Sequence, residues 1–159
     1  MGAEAVNKVL QDMLVRHAFH DAPYPSVNEL VAGLRAAARP DQVYLVDDLF
    51  NAIVLYENRA VQAAAVRRPD GKYVVTLKAS AAKMRHGELG EEKDMPLRDY
   101  IEFGVDDKDG VPLLRERRLV SKKDVVVQMV VGSRPAKAGI DPDNKLIDRK
   151  PKDNMVALD

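Results

Sequence analysis

VQAAAVRRPDGKYVVTLKAS, residues 61–80, has the period of a β-strand on both sides of a turn. Tyr73, Val75, Leu77 and Ala79 fall on one face of an extended chain, and Thr76, Lys78 and Ser80 on the other, because strand side chains alternate. Between the arms stands Pro69-Asp70-Gly71-Lys72. Proline presets its φ, aspartate bonds to nearby backbone and glycine accepts a positive φ, which together make a turn. The stretch therefore predicts a hairpin joining residues 61–67 to residues 73–80, with Tyr73, Val75 and Leu77 facing a core.

Downstream the same period recurs over residues 100–105, 113–120 and 125–131, separated by Asp106-Asp107-Lys108-Asp109-Gly110 and Ser121-Lys122-Lys123-Asp124. Short consecutive strands with no helix between them predict two packed antiparallel sheets, an immunoglobulin-like β-sandwich. From Gly132 onward, prolines and glycines among many charges predict an extended, irregular tail tacked down by Ile140, Leu146 and Ile147.

Upstream the period is helical. Val6, Val9, Leu10, Met13, Leu14 and Phe19 make one stripe of a helix over residues 3–20, which stops before Asp21-Ala22-Pro23-Tyr24-Pro25. Ser26 and Glu29 have capping-box spacing, so a second helix is expected from there, with Leu30, Val31 and Leu34 buried. Arg39-Pro40 ends it, and Asp41 is placed to cap a third helix carrying Val43, Tyr44, Val46, Leu49 and Phe50. The period switches near Ile53. The expected organisation is α+β: a three-helix segment over residues 1–52, then the antiparallel sandwich and its tail over residues 53–159.

Lysine plus arginine (25) offsets aspartate plus glutamate (25), so no overall field draws the chain to nucleic acid, and none is expected as a partner. The absence of cysteine excludes disulfides, thiolate metal sites and a cysteine nucleophile. No window approaches the roughly 18 uninterrupted apolar residues of a membrane span, so direct insertion of this segment is not expected. Met1-Gly2-Ala3-Glu4 has neither the basic region nor the apolar stretch of a signal peptide.

His17 and His20 are the candidate metal ligands, three apart on one helical face with Asp21 following. They lack a third ligand of fixed geometry, and histidines also suit the negative end of a helix dipole. The H-E-x-x-H motif is missing: the nearest run, His17-Ala18-Phe19-His20, has the wrong spacing and no glutamate base. His86 is placed in a polar loop, His86-Gly87-Glu88-Leu89-Gly90. Neither a P-loop nor a G-x-S-x-G motif occurs, and no catalytic or cofactor-binding residue is assigned. Asp47-Asp48 and Asp141-Pro142-Asp143-Asn144 with Asp148 depart from the EF-hand pattern and read as turn chemistry. Arg115, Arg117 and Arg118, with Lys122 and Lys123, form the densest basic cluster, but strand alternation splits Arg118 from the other two arginines. These charges suit a solvated strand face or edge.

PYPSVNELVAGLR (Pro23 to Arg35), YLVDDLFNAIVLYENRAV (Tyr44 to Val61) and KAGIDPDNKLIDRKPKDN (Lys137 to Asn154) occur in that order and span most of the chain. Together they resemble the C-terminal end of the aminopeptidase N-like, gluzincin zinc metallopeptidase region in bacterial ABC-transporter permease/aminopeptidase fusion proteins. None of the three is a catalytic motif. The resemblance implies that the zinc and its ligands lie upstream, in the catalytic domain of the parent, and that this chain is not an enzyme by itself. It implies a non-catalytic accessory domain whose partners are the upstream catalytic and permease domains, belonging to a bacterial inner-membrane protein with the side of the membrane left open. The alternative is a stand-alone β-sandwich module that binds a peptide or a protein strand at a sheet edge.

Overall fold

The computed structural model describes residues 1–158. Two compact units divide the chain after Ile53. In the first, α1 (Ala3–His17), α2 (Val27–Ala37) and α3 (Val43–Phe50) follow one another. α1 ends three residues before the expected boundary. Ser26 takes the N-cap position of α2 without a side-chain cap. The Glu29 N–H bonds the Ser26 carbonyl at 3.1 Å, and the Glu29 carboxylate turns instead to Arg16 and His17, so the capping box is not formed. Gln42, not Asp41, occupies the N-cap of α3, and Asp41 pairs with Arg39 at 3.3 Å.

The second unit is a pair of antiparallel sheets. Its strands in chain order are β1 (Ile53–Arg67), β2 (Tyr73–His86), β3 (Glu92–Asp94), β4 (Asp99–Asp106), β5 (Pro112–Val120), β6 (Asp124–Val131), β7 (Lys137–Ile140) and β8 (Met155–Ala157). One sheet holds β1, β2 and β3, with β6 also paired to β2; the other has the order β5-β4-β7-β8. The predicted hairpin is present with longer arms. Arg68 N–H donates to the Lys72 carbonyl at 2.7 Å, Asp70 Oδ1 accepts the Lys72 N–H at 3.1 Å, and Gly71 sits at φ 83°. That left-handed φ is one glycine adopts at no steric cost.

Alternation on β2 then decides the core. Val75, Leu77 and Ala79 are buried, Tyr73 is half-buried and Lys78 is exposed. Leu77 stands opposite Val127 on β6, and Val127, Met129 and Val131 turn to the same core. From the facing sheet come Ile101, Phe103 and Val105 of β4 with Ala138 and Ile140 of β7. Leu77→Ala is therefore expected to cost about 2–5 kcal/mol, and Lys78→Ala under about 0.5 kcal/mol, in the urea midpoint. Equal effects would mean that the strand presents its other face.

The expectation of an irregular tail is corrected. β7 and β8 pair antiparallel, with a short 3-10 turn at Pro151–Asp153 between them, and Ala138 and Ile140 are fully buried. Strands of four and three residues are too short to display a period, and their turns look like loop sequence. What orders the segment is side-chain capping of backbone. Asp141 and Asn144 hold φ values of 47° and 50°, which short polar side chains tolerate better than others. The Asp141 carboxylate accepts the N–H groups of Lys145 and Leu146 at 2.9 and 3.0 Å, while its own N–H bonds the Glu102 carbonyl at 2.7 Å. Farther along, Tyr56 N–H donates to Ile147 O and Arg149 N–H to Tyr56 O, at 2.9 and 3.0 Å, so the tail adds a rung to the edge of β1. Ile140 and Leu146 pack on the core as expected, whereas Ile147 is exposed.

Candidate docking surface

The residues singled out for chemistry are distributed among structural roles. His17 lies with its Nε2 2.8 Å from Glu29, beside Arg16, and joins α1 to α2; His20 is exposed beyond the helix end. Chiefly through the His17 hydrogen bond, with Arg16 adding to it, the Glu29 carboxyl is held below its ordinary value. Among the described residues, no group of three or more histidine, cysteine or acidic side chains is arranged to hold a metal ion. His86 ends β2 rather than lying in a loop, 4.0 Å from Glu92.

The acidic candidates are occupied as well. Asp47 pairs with Arg35 and accepts the Asn51 amide at 2.9 Å. Asp143 takes Arg115 at 3.1 Å, and Asp148 takes the backbone N–H groups of Asn58 and Lys150 at 2.9 and 2.8 Å. The arginines of β5 go to different partners: Arg115 to Asp106 at 2.6 Å, Arg117 to Glu102 at 3.6 Å, and Arg118 to the Gln128 carbonyl at 2.6 Å. The Arg118 contact fills an acceptor on β6.

The helical unit presents the larger anomaly. α1 buries no residue, α2 buries only Leu34 and α3 only Val46. The stripe that periodicity finds on α1 is split. Val6, Val9 and Met13 are half-buried, whereas Leu10 and Leu14 are exposed, and Val15 beside the stripe is as bare as Leu14, at 72%. Phe19, Tyr24, Val27, Leu49 and Phe50 add to the bare apolar surface. Along the seam of α1 and α2 runs a cleft of roughly 540 Å³ whose walls include Val9, Met13, Ala32, Gly33 and Ala36. A Cβ on Gly33 would lie 2.8 Å from Val9 Cγ1, so glycine sets how closely the two helices approach. No helix among the described residues is long and apolar enough to cross a membrane.

Residues missed by sequence reading lie in the sandwich. Lys83 and Asp99 form a buried ion pair at 3.1 Å, and Asn58 is 2% exposed. Their only sequence signal is a polar residue at a core-facing strand position.

No family model, curated protein or solved structure matches this chain.

Proposed function

We propose that the chain is a non-catalytic docking domain, in which a sandwich stable by itself carries helices that complete their packing on another protein surface. More particularly, it is the accessory domain at the end of a zinc aminopeptidase-like region fused to an ABC-type permease, with the zinc held upstream of this chain. One observation carries the docking reading: the helices expose large apolar side chains and have almost no core of their own. Helices of this length gain most of their stability from tertiary packing, and contiguous bare apolar surface marks an interaction site. The particular partner rests on the resemblance of the segments at Pro23 to Arg35, Tyr44 to Val61 and Lys137 to Asn154.

The coding sequence upstream is expected to specify a peptidase-like region. Produced separately and titrated with this chain, that region should form a one-to-one complex in calorimetry. Leu14→Glu and Phe19→Glu should each weaken it by at least about tenfold, as anchors of an apolar contact do, and Tyr100→Ala on the sandwich should not. An upstream sequence with no such region, or binding indifferent to both glutamates, defeats the proposal.

A further inference from the structure

We infer that β6 is the seam of a symmetric dimer, in which a second copy of this chain lays its own β6 antiparallel along the first and the two four-stranded sheets become one. This inference uses the sandwich alone and stands whether or not the helices dock on a partner.

Among the described residues, the backbone of β6 pairs with β2 alone, so its other side is a sheet edge. Two contacts fix which groups lie on that edge. Ala81 N–H donates to the Lys123 carbonyl at 2.8 Å, one step past the pairing of Ser80 with Asp124. Facing residues of an antiparallel ladder alternate between bonded and non-bonded pairs, so the odd-numbered residues of β6 bond to β2. On the far side, Arg118 Nη2 donates to the Gln128 carbonyl at 2.6 Å, as the same alternation requires. The N–H and C=O groups of Val126, Gln128 and Val130 therefore line the free edge, and Arg118 takes one carbonyl of the set. Their side chains stand on the solvent face, with Val126 67% and Val130 47% exposed. Sheet edges are ordinarily blunted by charges or a proline within the strand. β5, an edge of the other sheet, carries Arg115, Glu116, Arg117 and Arg118. From Val125 to Val131, β6 carries neither, and its guard is a guanidinium borrowed from β5.

The sequence of the strand selects the occupant, because β6 is complementary to itself. Turned antiparallel about Gln128, a second β6 sets Val126 against Val130 of the other copy, Val130 against Val126, and Gln128 against Gln128. Each of these residues then exchanges N–H and C=O bonds with the one opposite. The valines meet as β-branched cross-strand pairs, which are favourable. Asp124, the one charge on β6, falls opposite Gly132, so no like charges face each other along the strand. A slip of two residues either way breaks both valine pairs, and one of the two slips sets Asp124 against Val130. Arg118 must release Gln128 for the seam to form, and it keeps its contact with Glu116 at 2.7 Å when it does.

The test is sedimentation velocity on the full chain from about 10 μM to about 1 mM, the range of weak association, with ¹⁵N amide shifts followed over the same range. A dimer should grow with concentration, and the shifts should centre on Val126, Gln128 and Val130. Gln128→Pro removes an N–H that lies outside the β2 ladder, and should weaken association at least about tenfold. Val126→Lys, a change at an exposed position that the fold tolerates, should do the same and guards against a misfolded proline variant. Arg118→Ala should strengthen association about tenfold, since it removes a charge-assisted contact that the dimer has to break. Leu14→Glu, on α1, should leave it unchanged. Three results overturn the inference: a native chain that stays monomeric throughout, association that survives both β6 variants, or association that Leu14→Glu abolishes.

Discussion

Lys83→Met is expected to destabilise the sandwich by about 3–5 kcal/mol, because it strands a buried carboxylate. Lys83 Nζ donates to Asp99 Oδ1 at 3.1 Å, and the two side chains are 3% and 4% exposed. Asp99 Oδ2 has no hydrogen-bond partner, so the ammonium on Oδ1 is the main compensation that carboxylate has. The ammonium also lies 5.7 Å from the centre of the Tyr56 ring, a favourable cation–π distance. Removing the lysine loses both contacts and leaves the charge in a poorly solvated place. Changing both partners tests the mechanism against simple loss of packing. The double variant Lys83→Met, Asp99→Leu should recover most of the loss, since replacing a buried pair by apolar side chains is often close to neutral. Urea unfolding at neutral pH measures both. A single variant costing under about 1 kcal/mol, or a double variant no better than the single, shows that the pair is not holding β2 to β4 in the way described.

This pair also marks where the sequence stops being readable. Residues 73–80 alternate cleanly, and from them the hairpin, the core-facing side of β2 and the all-antiparallel arrangement all follow. Four residues past Ala79 on the same face comes Lys83, where the pattern predicts an apolar residue. Only the approach of Asp99 from the other sheet explains it, and that contact joins residues sixteen apart with no local signal. Asn58 is the same case on β1, since nothing near it in sequence announces that Asp148 and Asn154 will hold its backbone. The order of the tail is hidden in the sequence for a related reason. Ile140-Asp141-Pro142-Asp143-Asn144 is turn chemistry, and turn chemistry reads as loop, yet here the turn serves to return the chain to β8. Ser26 and Glu29 fail in the opposite sense: the local motif is present, but Arg16 and His17 offer the carboxylate a stronger charge-assisted contact than a backbone amide would.

In the chain alone, amides of α1 should exchange with solvent orders of magnitude faster than those of β6. Opening free energies within one protein run from near zero at poorly packed elements to the full unfolding free energy in a core strand, which for domains is about 5–15 kcal/mol. β6 belongs to the second kind. Its Val127, Met129 and Val131 are buried, and eight of its residues are in register with β2. α1 belongs to the first kind: no residue is buried, and its ties to α2 are the half-buried contacts of Val9 and Met13, the part-buried pairing of His17 with Glu29 and the exposed one of Arg16 with the same carboxylate. A helix of fifteen residues is marginal in water without tertiary support. Val9 through Leu14 should therefore lose protection within a short exchange time while Val125 through Val131 retains it. Adding the upstream peptidase-like region at saturating concentration should slow α1 and leave β6 unchanged, because only the helices gain buried surface. Equal protection of the two segments in a monomer would show that the helices need no further surface, and the docking reading would then fail at its physical premise.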